Sequence, residues 1–200
     1  MRAALLVPLA ALSLGAEPLS RGERDRAMSH LHASRKQFLD ALAGLSEAQW
    51  KFKAGPDRWS IAEVAEHIGV SEDTLFGMVT GKLLKSAPAP AEKLAETKDK
   101  DELVMKAVPN REQRFQAPEM LRPTGRWAGR VELSRDFRAA RDGTIAYVEK
   151  TGDELRKYVM DHPVLKALDA YQWILLIAAH TERHVAQIDE VKQSAGYPNQ

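Results

Sequence analysis

Two hundred residues with 44% hydrophobic content are enough for one domain with a real core. A formal net charge of +1 gives no chain-wide electrostatic case for nucleic acid or an anionic membrane. Cysteine is absent, which excludes disulfides, thiolate ligands and cysteine nucleophiles and leaves imidazoles and carboxylates as the candidate metal ligands.

The chain opens with Arg2, an apolar run through Leu14, and small residues Gly15 and Ala16 before Glu17-Pro18. That is the layout of a secretory signal, so residues 1–16 are expected to be removed between about Ser13 and Pro18, with the mature protein exported to the periplasm or beyond and free of the membrane. Four long helical patterns follow. The first runs from about Glu23 to Leu45, with Leu31, Phe38, Leu42 and Leu45 at helical spacing, and closes in a turn at Ser46–Trp50. The second begins at Ser60, with Glu63 placed to complete a capping box, and continues to about Leu84. Within it, Trp59-Ser-Ile-Ala-Glu-Val-Ala-Glu-His67-Ile68 puts His67 at the edge of the apolar stripe.

Ser86 to Ala91 breaks that helix with two prolines, Lys98 to Ala107 reads as a short helix, and Pro109 to Gly129 as a long irregular connection. A connection of that length inside a domain is usually functional. The third long pattern covers Val131 to Val159, stopped by His162-Pro163, and the fourth runs from Asp169, with Gln172 as its capping partner, to about Gln193. Little else reads as strand. The expected architecture is an all-α four-helix bundle spanning residues 20–194.

The fourth helix carries His180-Thr-Glu-Arg-His184. Histidines four apart share one helical face, and this face also carries Ile177, Ile188 and Val191, so both rings should point inward. Two such imidazoles can share a cation, and a third from His67 would give three nitrogens with coordination positions left over. The competing reading is a set of hydrogen-bonded core histidines. A zinc-peptidase reading fails, because Thr181 stands where the general base would follow the first histidine, and Glu182 falls on another face. His30, His32 and His162 lack comparable spacing and read as solvated or structural. Trp50, Trp59, Trp127 and Trp173 read as core or loop anchors.

The His67 segment, joined to His180-Thr-Glu-Arg-His184-Val-Ala-Gln187-Ile about 110 residues later, resembles the DinB/YfiT-like superfamily. The resemblance extends from about Arg21 to Lys192 and includes Ala117-Pro-Glu-Met-Leu-Arg-Pro-Thr-Gly125. It implies an up-down-down-up bundle, often dimeric, with a divalent metal held by His67, His180 and His184. Zinc or nickel would be the usual ion, with iron or manganese as alternatives. Relatives include metal-dependent hydrolases and thiol-dependent transferases. The expected function is therefore a metal-dependent, hydrolase-like enzyme acting on a small substrate. The alternatives are a non-catalytic secreted metal- or ligand-binding bundle, or a thiol-dependent S-transferase if the chain is cytosolic. Gln187 is expected to orient a ligand, Arg183 to meet a carboxylate or an anionic substrate, and Glu119 is a candidate base.

Overall fold

A computed structural model describes residues 18–199; the candidate signal segment lies outside them. Its elements in chain order are α1 (Arg21–Leu42), α2 (Glu47–Lys51), α3 (Ile61–Gly81), α4 (Ala91–Ala95), α5 (Lys100–Ala107), α6 (Arg130–Lys150), β1 (Val159–His162), β2 (Lys166–Asp169) and α7 (Ala170–Lys192). Three of the long helices start at reciprocal capping boxes: Ser20 with Glu23, Ser60 with Glu63, and Asp169 with Gln172. Each satisfies backbone donors that a helix start would otherwise leave orphaned, worth about 1 kcal/mol.

Helices α1, α3, α6 and α7 form the bundle, each packed on two neighbours in the cyclic order α1, α7, α3, α6. Their directions follow from side-chain bonds at the helix ends. Arg24 at the start of α1 donates to the carbonyls of Val148 and Thr151 at the end of α6, so those two are antiparallel. The Tyr171 hydroxyl donates to the Glu23 carbonyl and Lys192 to the Ala41 carbonyl, so α1 and α7 are parallel. Helices α3 and α6 are parallel too, Ile61 sharing a cluster with Leu133 and Phe76 stacking on Tyr147. The expected up-down-down-up bundle is what forms.

Its core divides in two. One apolar cluster gathers Leu31, Val79, Leu168 and Ile174; the other gathers Phe38, Ile61, Phe137, Ile188 and Val191, with Phe38 and Phe137 edge to face at 4.6 Å. Between them lies a polar layer. Buried Arg141 of α6 makes a two-pronged ion pair with Glu72 of α3 and reaches Ser34 of α1 and Thr181 of α7. All four helices are tied together there.

Helix α6 is shorter than the apolar spacing from Val131 to Val159 suggests. It ends at Lys150 because Thr151 turns extended, its hydroxyl accepting from the Asp153 amide. Residues 159–169 then form an antiparallel hairpin, Val159 opposite Asp169 and His162 opposite Lys166, where no strand was expected. His162-Pro163 is thus a hairpin corner. The His162 Nδ1 accepts the amides of Val164 and Leu165. Arg156 pins the hairpin to the bundle through Glu23, Asp101 and Asp169 and lies 4.1 Å over the Tyr171 ring.

Candidate metal centre

His67 projects from α3, and His180 and His184 from consecutive turns of α7, into the polar layer. The Nε2 of His67 lies 3.2 Å from that of His180 and 3.1 Å from that of His184. His67 and His184 are buried, while His180 keeps a partly exposed edge. One donor nitrogen from each lies within 4.8 Å of the others, close enough to hold one ion between them, and this is the group of that kind among the described residues.

The far side of two rings shows why they point this way. His67 Nδ1 sits 2.7 Å from the Leu121 carbonyl, and His184 Nδ1 sits 2.8 Å from Gln187 Oε1. Arg111, which can only donate, also approaches Gln187 Oε1 at 3.4 Å, fixing that atom as the amide oxygen. A nitrogen facing an oxygen acceptor carries the proton, so both rings are Nδ1–H tautomers with Nε2 lone pairs turned inward. Two lone pairs 3.1 Å apart cannot satisfy each other. A shared cation would serve both, and three imidazole nitrogens suit a divalent ion of the zinc and nickel kind.

Electrostatics keep the rings ready for that role. Burial foremost, then the neighbouring imidazoles, pushes His184 down to about 3 and His180 well below the ordinary histidine range; burial also lowers His67 against the opposing Leu121 contact. All three are neutral at physiological pH, the form that ligates metals.

Gln187 lies where the sequence reading put it, behind His184. Arg183 does not. It meets neither a bundle carboxylate nor an open substrate space: it donates to the carbonyls of Val108, Asn110 and Gln113 and stands over the Phe115 ring. Glu119 is exposed in the short turn Glu119–Leu121, and this turn gives the site its Leu121 carbonyl instead. The tryptophans are anchors as expected. Trp50 and Trp173 are buried, and Trp127 donates to Asp136. Trp59 lies against His67, the rings tilted by 52° with centroids 5.2 Å apart, and forms one wall of the site. The sequence reading missed Glu66, whose buried carboxylate accepts the backbone amides of Thr124, Gly125 and Arg126. A charged residue beside a ligand on the buried side of a helix was the available signal.

Fold and site together define a helical bundle with an open three-histidine cluster. The family model described as the DinB superfamily matches residues 30–188, and the chain belongs to that superfamily. It is also similar to the uncharacterized protein YuaE of Bacillus subtilis (strain 168), with 28% identity over 166 residues, covering 83% of this chain and 97% of the relative. No solved structure matches it significantly.

Proposed function

We propose that the protein binds one divalent metal through His67, His180 and His184 and uses it on a small substrate in hydrolase-like chemistry. The observation that carries the reading is the pair of Nδ1–H tautomers, which turns the Nε2 lone pairs of His67 and His184 toward one another at 3.1 Å. A divalent ion bound by three imidazoles supplies a Lewis acid with positions free for other ligands. The chain's own part is positional. Leu121 and Gln187 hold two rings in the ligating tautomer, and the Trp59 ring shields one side of the cluster from water. The partly exposed edge of His180 marks the side from which a substrate would arrive.

The second reading, a metal- or ligand-binding bundle without catalysis, is favoured by one feature: the cluster contains no carboxylate to move a proton. Export after cleavage near Ser13–Pro18 and a homodimeric state belong to the proposal and are checked by native intact mass and sedimentation. A thiol-dependent S-transferase reading returns if that mass includes Met1 and Arg2.

Elemental analysis of natively purified protein tests the centre directly. About one zinc, nickel, iron or manganese per chain is expected, with less than a tenth of that in His184→Ala. Equal metal content in both would remove the histidines as ligands.

A further inference from the structure

The connection between α5 and α6 is held at its two ends by opposite chemistry. Near its start, the buried guanidinium of Arg183 collects three carbonyl oxygens, those of Val108, Asn110 and Gln113. Near its end, the buried carboxylate of Glu66 collects three successive amide groups, those of Thr124, Gly125 and Arg126, at 2.6 to 3.1 Å. Successive amides converge on one anion only when the backbone curls into a nest, and Gly125 supplies the left-handed residue for it, at φ +83. The same stretch lies so close on α3 that a Cβ at Gly69 would stand 2.9 Å from the Trp127 ring.

Both anchors are immediate neighbours of candidate ligands: Glu66 precedes His67, and Arg183 precedes His184. The segment they fix reaches back to the same two rings. Leu121 presents its carbonyl to His67 Nδ1. Arg111, set between the carbonyls that Arg183 holds, forms a two-pronged pair with Glu190 and backs the Gln187 oxygen that accepts from His184. A cation gathering carbonyls and an anion gathering amides each make charge-assisted bonds, the strong kind, so the segment is held tightly on both sides.

We infer that Glu66 and Arg183 are positioning residues that clamp this connection over the histidine cluster and, through Leu121 and Gln187, set the tautomer and aim of His67 and His184. The assignment of the rings as metal ligands rests on the function proposed above; the clamp itself does not. Neither side chain belongs to the histidine cluster; each bonds main-chain groups of the connection. Their effect passes through the oxygen atoms that the connection and α7 present to the rings.

The test uses Glu66→Gln and, from the other end, Arg183→Lys, in the full chain, so that one variant failing to fold leaves the other to decide. Long-range proton–nitrogen NMR of the metal-free protein reads each imidazole tautomer, and cobalt(II) titration reads affinity. In wild type, His67 and His184 should both carry the proton on Nδ1. In Glu66→Gln, His67 should become a mixture of tautomers and cobalt affinity should fall roughly 10- to 100-fold. Arg183→Lys should do the same through His184, and Glu66→Asp should recover part of the loss. Wild-type tautomers together with wild-type cobalt affinity in a folded variant would overturn the clamp. If wild type binds no cobalt yet the tautomers shift in the variants, the clamp stands and the metal reading falls.

Discussion

In one half of the polar layer, Arg141 places all five of its N–H groups on protein acceptors: both Glu72 oxygens, the Leu31 carbonyl, Ser34 and Thr181. The Thr144 hydroxyl completes the Glu72 carboxylate. In the other half, the three histidines satisfy their outer nitrogens where the chain provides oxygens and leave the inner ones facing each other. Both clusters lie largely inside the bundle, both draw on α3 and α7, and their buried polar atoms carry cost unless partnered. The difference is where the last partner comes from. The arginine network is closed within the chain, which is what a structural tie requires. The histidine cluster turns three imidazoles on one another and has room for a partner from outside, which is what a binding centre requires.

Breaking the closed network should have the largest effect. Arg141→Met strands the Glu72 carboxylate in the core, and a loss of about 3–5 kcal/mol is expected from urea denaturation. Chelators should not change that value, since the network holds no ion. Next comes a separation of stability from binding within α7. Ile188→Ala opens a cavity in the apolar cluster and should cost about 2–5 kcal/mol while leaving metal content near wild type. His184→Ala should move the metal-free stability by no more than about 1 kcal/mol, alanine being the better helix former, yet abolish the stabilisation that added metal gives wild type. A wild-type melting temperature that ignores both metal and chelator would erase the contrast between the clusters.

The smallest effect is the pH slope over a single unit. Burial keeps folded His184 neutral down to about 3 and lowers His180 and His67 as well, whereas unfolded imidazole takes up a proton near 6.5. The unfolded state therefore binds more protons as pH falls, and the metal-free protein should lose stability below pH 6.5, with His184 giving up its share until about pH 3. Between pH 6.5 and 5.5 about 1 kcal/mol is expected from His184, and His184→Ala should show a shallower slope across that interval.

Much of this was legible because it is local. Ser60 with Glu63 and Asp169 with Gln172 announce helix starts within four residues, and His180 with His184 fixes a shared face from spacing alone. The hairpin was not legible, because Leu155 and Val159 continue the spacing of α6 and only the pairing with residues 166–169 makes them something else. Gly152 is a weak breaker taken singly. Arg183 was misjudged for a related reason: its partners are main-chain carbonyls some 70 residues away, and no residue type advertises a carbonyl. Glu66 went unread for the same cause, its partners being amides.

The parallel run of α3 and α6 has a consequence for how this chain could be shortened. Each is 21 residues long, or roughly 30 Å, and leaving the far end of one to enter the near end of the other obliges the backbone to travel the whole length of the bundle. Fully extended, that journey takes only about nine residues. The chain spends residues 82–129 on it. Trimming is therefore geometrically permitted, and the surplus is where the Leu121 carbonyl, the Arg111 guanidinium and the Gly125 nest are carried. A minimal tether would still join the helices and would deliver none of the three.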